Sequence, residues 1–280
     1  MNSIKHWSLL SFSVLSIMAL TACGNSNAGN KQSNSASGVN QNAPIEKASN
    51  LIVSTSKIQS ELDKAKKEGK AVFVVVTGTG TTDTDKATTI AKGANNIYKN
   101  SAVVQMDRDD ASNAALVTEW RLAGAPLPII LVISPKGLPT GGFVLSQATA
   151  ENLAALIPTA KLEDVYAAIA LKKSALVVFT KKSLSDRAEV LKVCKDAVSK
   201  LNNNAVIVEV DMDDSNEANF MNQLRIDKSA TASTTLVINS QGQVAGTSTT
   251  VPDAEKLALA ATKPVATGCG PGCGPAGCAK

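Results

Sequence analysis

From about residue 57 onward the apolar residues fall into two alternating rhythms. Ile58, Leu62 and Ala65 recur at helical spacing, which predicts a helix over 57–68. The unbroken run Ala71-Val-Phe-Val-Val-Val76 follows, and a continuous β-branched stretch of that length predicts a strand buried on both faces. The same reading predicts helices over 85–98, 113–122 and 150–157, with strands over 102–106, 129–133 and 143–145. Pro135-Lys136-Gly137 marks the turn between the last two strands. A second series follows, with helices over 162–171, 184–201, 216–224 and 253–261. Its strands fall at 175–179, 205–210, 234–238 and 243–246. Each series runs helix, strand, helix, strand, helix, hairpin, helix. The implied fold class is α/β, a mixed central sheet flanked by helices, present twice.

The two series also match residue by residue. Val104-Gln-Met-Asp-Arg-Asp-Asp110 pairs with Val208-Glu-Val-Asp-Met-Asp-Asp214. Pro128-Ile-Ile-Leu-Val-Ile133 pairs with Ser233-Thr-Thr-Leu-Val-Ile238. Near-constant spacing between such matches signals a duplicated domain, assigned to residues 51–160 and 161–262. The element order resembles the thioredoxin fold. Asp107-Arg108-Asp109-Asp110 stands where that family carries an Asp-x-Asp turn after its middle strand. Gly124-Ala-Pro-Leu-Pro128 resembles the segment presenting the family's cis-proline, with Pro128 at the matching place; Ser233 occupies it in the second half. The resemblance implies two tandem thioredoxin-like domains, and beside Pro128 a groove able to hold an extended peptide.

The family's Cys-x-x-Cys lies between the buried strand and the next helix, whose N-terminus lowers the attacking thiol's pKa. Here those segments read Thr77-Gly-Thr-Gly-Thr-Thr-Asp83 and Thr180-Lys-Lys-Ser-Leu-Ser185, without cysteine. Neither half can perform thiol–disulfide exchange at the family's position. Gly78 and Gly80 also suggest a dinucleotide loop, but Asp83 stands where a third glycine is wanted, and a Thr-rich turn with a polar N-cap is the alternative. The clusters Asp107/Asp109/Asp110 and Asp211/Asp213/Asp214 offer oxygen ligands for a hard cation, or caps for the following helices. Cys194 shares a helical face with Leu191, Val198 and Leu201, as a small buried hydrophobe or a reactive thiol.

The first fifty residues differ in kind. Lys5 and His6 precede an apolar stretch too short to span roughly 30 Å of hydrocarbon, so 1–22 reads as a removed signal segment. Leu20-Thr21-Ala22-Cys23 resembles the lipobox of bacterial lipoproteins. That resemblance implies diacylglyceryl transfer to the Cys23 thiol, further acylation such as palmitate, and a cell-envelope location. Gly24 after the cysteine favours the periplasmic face of the outer membrane if the cell is Gram-negative. Residues 23–50, rich in Asn, Ser, Gly and Ala, are expected to form a flexible tether.

Composition removes several functions. The one histidine, His6, lies in the signal segment, so a processed chain holds no imidazole for a catalytic pair or a metal site. A formal net charge of +4 without Lys/Arg clusters interleaved with aromatics argues against nucleic acid as a partner. Three cysteines gather in the Gly/Pro-rich stretch 263–280, at Cys269, Cys273 and Cys278, expected to be a mobile arm. They could form a disulfide, wrap Cu(I) or Zn as thiolates, or act as a tethered redox dithiol. The expected function is a non-catalytic binding module at the envelope, facing a protein or peptide partner. The alternative is thiol-dependent redox or soft-metal handling by the tail, and any enzymatic activity would be a thiol–disulfide oxidoreduction there.

Overall fold

The computed structural model describes residues 56–264. The signal segment, Cys23, the tether and the tail thiols Cys269, Cys273 and Cys278 lie outside the described residues.

The first half contains α1 (Lys57–Lys67), β1 (Ala71–Thr77), α2 (Thr84–Ile97), β2 (Ser101–Asp107), α3 (Ala114–Glu119), β3 (Ile129–Ile133), β4 (Pro139–Val144) and α4 (Ala150–Ala155). The second contains α5 (Ala160–Ala170), β5 (Ser174–Thr180), α6 (Arg187–Lys200), β6 (Ala205–Asp211), α7 (Ala218–Gln223), β7 (Thr234–Ile238), β8 (Val244–Ser248) and α8 (Ala254–Thr262). Sheet orders are β2-β1-β3-β4 and β6-β5-β7-β8. In each, the first two strands in sequence pair in parallel and the remaining pairs are antiparallel. Both sheets shift register at the same point, Val132/Ile133 and Val237/Ile238.

The continuous apolar runs form the inner strands because helices cover both faces of each sheet. All seven residues of β1 and of β5 are buried. Val72, Val74 and Val76 face α1 and α3, while Phe73 and Val75 face α2. Burying each such side chain stabilises the fold by about 1.5–3 kcal/mol. Small residues at helical spacing, Ala87, Ala91 and Ala94, bring α2 close to the sheet; Val190, Cys194 and Ala197 repeat the stripe on α6.

Several boundaries differ from the periodicity. The helix expected over 113–122 is a 3-10 turn, Ala111–Asn113, followed by a short α3. Its counterpart likewise splits into a 3-10 turn at Ser215–Glu217 and α7. Asp110 and Asp214 cause the early start, each accepting a bond from the backbone N–H two residues on. The helix expected from 184 begins at Arg187, because Leu184 closes a turn on Lys181 O and Asp186 is engaged elsewhere. The strand expected over 143–145 extends back to Pro139, tolerated on an outer strand. The strand expected over 243–246 spans Val244–Ser248.

The halves meet through the β3–β4 turn. The Lys136 N–H donates to Glu163 Oε1 at 2.6 Å, and Glu163, on α5, is 4% exposed. The Lys136 ammonium pairs with Asp164. Glu217 then accepts the Lys161 N–H at 3.0 Å, fixing the start of α5 to the 3-10 turn of its own half.

Candidate functional site

Parallel strands leave their loops at one end of each sheet, where three segments converge: the loop after the central strand, the Asp-x-Asp turn, and the segment entering the antiparallel strand. In the first half these are 78–82, 107–110 and 122–128. Gly78 N–H donates to Thr81 Oγ1 at 2.9 Å and Thr79 N–H to Asp109 Oδ2 at 2.6 Å. The Asp109 carboxyl is held below its ordinary value of 3.8, chiefly by the Thr79 backbone amide, with a smaller contribution from the Arg108 charge. Arg108 extends the chain of contacts. Its Nε lies 3.6 Å from Asp109 Oδ1, and its Nη1 donates to Ala125 O at 2.8 Å and Leu122 O at 3.2 Å. One guanidinium thus ties the loop at the dithiol position to the segment preceding Pro128.

The Leu127–Pro128 peptide is cis, and Pro128 is buried at the start of β3. Gly78 permits the close approach of the segments. A Cβ there would lie 2.9 Å from Asp109 Oδ2 and 3.0 Å from Leu127 Cδ1. Asp83 occupies the N-cap position of α2 but sits at φ 59° and makes no side-chain cap bond, contrary to the capping expectation. The turn is held from across the site instead.

The second half joins the same segments by other residues. Ser233, in the position of Pro128, donates its N–H to Asp186 Oδ2 at 2.8 Å and its hydroxyl to Asp186 Oδ1 at 2.9 Å. Thr180 Oγ1 lies 2.8 Å from Ser233 Oγ, and because that hydroxyl proton goes to Asp186, Thr180 is the donor. Met212 replaces Arg108 and is buried, while Lys181 pairs with Asp213 at 3.3 Å. Ser233 is fully buried and, among the described residues, no imidazole or lysine bonds to it, so the Asp–Ser–Thr chain is a clasp and not a nucleophile with its base.

Cys194 is the one free cysteine among the described residues. It packs with Val190, Ala197 and Leu257, and burial pushes its thiol up to about 11, against a smaller lowering by the Thr235 hydroxyl. That matches the reading as a small buried hydrophobe. The described residues contain no group of three or more His, Cys, Asp or Glu that could hold a metal ion. Asp109 and Asp110 are instead spent on Thr79 and Ser112, and Asp214 on Asn216. No described helix is long and apolar enough to cross a membrane. What the periodicity could not disclose are the cross-site partners Arg108 and Asp186, which reach residues 17 and 47 positions away.

The sheet order and strand directions of both halves, with the cis-proline of the first, define two tandem thioredoxin-like domains, here without cysteine at the dithiol position. No family model matches the chain, and no curated protein matches it. Solved structures similar to it are multi-domain thioredoxin proteins. The first two thioredoxin domains of Naumovozyma dairenensis Eps1p share 12% identity at a TM-score of 0.29, over 72% of this chain and 95% of that one. The corresponding domains of Saccharomyces cerevisiae Eps1p share 13% at 0.26, over 63% and 84%. The zinc-bound form of human ERp44 shares 11% at 0.30, over 62% of this chain and 47% of that one, so the match spans about half of its length.

Proposed function

We propose that this protein is a non-catalytic binding module of the cell envelope, carried on lipid at Cys23, with a protein or peptide as its partner. The observation carrying this reading is that both loops at the dithiol position lack cysteine and are braced to the opposite segment, by Asp109 and Arg108 in one half and Asp186 in the other. A braced loop holds a fixed surface and has no group to exchange electrons. Such a surface beside Leu127 and Pro128 suits an extended peptide held without chemical change. Two measurements test this. Mass spectrometry of the membrane-extracted chain should find diacylglyceryl and an acyl chain on Cys23 as the N-terminal residue. Insulin reduction with dithiothreitol should run at the uncatalysed rate; acceleration would count against the reading.

A second reading rests on Cys269, Cys273 and Cys278, three thiols within ten residues of one another. Cu(I), Zn or a redox dithiol would be handled there and not in the folded halves. The Cys269→Ser/Cys273→Ser/Cys278→Ser chain should then lose metal or insulin-reducing activity completely. Equal Cu(I) uptake by the two chains would reject it.

A further inference from the structure

The two halves share a backbone plan, so a place where they differ in filling is informative. α3 and α7 end alike: Trp120 and Leu224 are the C-cap residues, Arg121 and Arg225 follow at φ 53° and 55°, and Leu122 and Ile226 each bond back to the carbonyl five residues earlier. The ring of Trp120 packs on the first core together with Leu127, Ile129 and Leu131. Leu224 is far smaller, and the segment from Ile226 to Ser233 is one residue longer than that from Leu122 to Pro128. The partner position on the outer strand changes too, since Leu131 faces Gly142 but Leu236 faces Thr247. An open groove of about 520 Å³ results in the second half, with Leu224, Ile226 and Leu236 as its apolar wall and Thr234 and Thr247 along the strands.

The groove has two features that specify an occupant. β8 is the outer strand of its sheet, so its far-side N–H and C=O groups have no strand partner. Arg225 lies in the wall, exposed, and enters none of the ion pairs among the described residues. Asp227 lines the same groove but forms no ion pair with Arg225, and its Oδ1 takes the Ser229 N–H and hydroxyl at 2.8 and 2.7 Å. We propose that this groove binds an extended polypeptide partner that adds to the β8 edge, seats one apolar side chain against Leu224 and Leu236, and sets a carboxylate on Arg225. Main-chain pairing supplies affinity in such strand addition, while the pocket and the charge supply selectivity. The inference rests on the binding-module reading and names a site for it distinct from Pro128.

A phage-displayed octapeptide library panned on the full chain tests it. Selected sequences should pair a leucine, valine or phenylalanine with an aspartate or glutamate. Fluorescein-labelled copies should bind the full chain and lose at least tenfold in affinity to Leu224→Trp, which sets in the groove the indole that the first half carries at the matching place, Trp120. Arg225→Glu, a change at an exposed side chain without an ion pair, should produce a similar loss and raise no question of folding. Selected peptides that bind both variants as tightly as the unaltered chain overturn the proposal, as does a selection that yields no binder. Peptides sensitive to Leu127→Ala but not to Leu224→Trp overturn the groove and leave the binding-module reading standing. Insulin reduction that depends on the tail thiols would remove that reading while groove affinity remained measurable.

Discussion

The loop ends of the two sheets solve one problem in two ways. In the first half a cis-proline gives the segment its shape, and an arginine and an aspartate reach across at the surface to hold the neighbouring loop. In the second half the proline is replaced by Ser233, whose amide N–H and hydroxyl must then be satisfied in the interior, and Asp186 does so from the start of α6. A proline needs no donor partner, whereas a buried serine brings two donors that cost about 1–3 kcal/mol each if left unpaired. The lesson is that losing a proline at a buried turn obliges the fold to acquire an acceptor.

The comparison can be broken most forcefully at Asp186. Asp186→Ala should destabilise the second half by about 3 kcal/mol, seen as a lower urea midpoint for its unfolding. Asp186→Ala combined with Ser233→Pro should recover part of that loss, because the donors disappear with the serine. Arg108→Met, which imitates Met212, should cost the first half about 2 kcal/mol through the bonds to Leu122 and Ala125, read from the fluorescence of Trp120 during unfolding. Cys194→Ala installs the residue found at the matching place on α2, Ala91, and should cost about 1 kcal/mol. In the unaltered chain, Cys194 should be alkylated by iodoacetamide at pH 8 at least roughly a hundredfold more slowly than after unfolding, by peptide mass spectrometry.

The smallest effect concerns pH. The Asp109 carboxyl is depressed in the folded state, so its tie to Thr79 is fully present above 3.8, the ordinary aspartate value, and is lost as pH falls through the lower folded value. Protection of the Thr79 amide against hydrogen exchange should therefore persist at pH 5 and decline only below 3.8. Asp109→Asn should show no such step. A step near neutral pH would mean that another group governs the loop.

The duplication, the inner strands and Pro128 were legible because they rest on local pattern: β-branched runs, fixed spacing, and a proline at a strand entrance. The Asp-x-x clusters were legible as caps, since a carboxylate two residues before a backbone N–H is a short-range device. Arg108 and Asp186 were not, because the carbonyls and hydroxyl they meet are brought near only by the sheet. The split of the helix expected over 113–122 was hidden for a related reason. Apolar periodicity records which face is buried, not whether the first turn closes on the third or the fourth residue. Nothing local marks the burial of Glu163, which the β3–β4 turn of the other half covers.

That contact between halves is head to tail, a turn of one unit set on the first helix of the next, and such contacts build open rows unless the rotation closes them into a ring. A row of these units would need something to stop it. At the place of Lys136 the second half has Gln241, whose N–H is taken by Asn239 Oδ1 inside its own turn at 3.1 Å. At the place of Glu163 the first helix has Ser60, whose hydroxyl bonds back to Ser56 O. At this place the second unit's amide is engaged within its own turn, and the first helix has a serine where α5 has Glu163, with Glu61 where α5 has Asp164. The amide that joins the halves at one turn is consumed inside the turn at the other, so a single asparagine decides whether the same joint can be repeated.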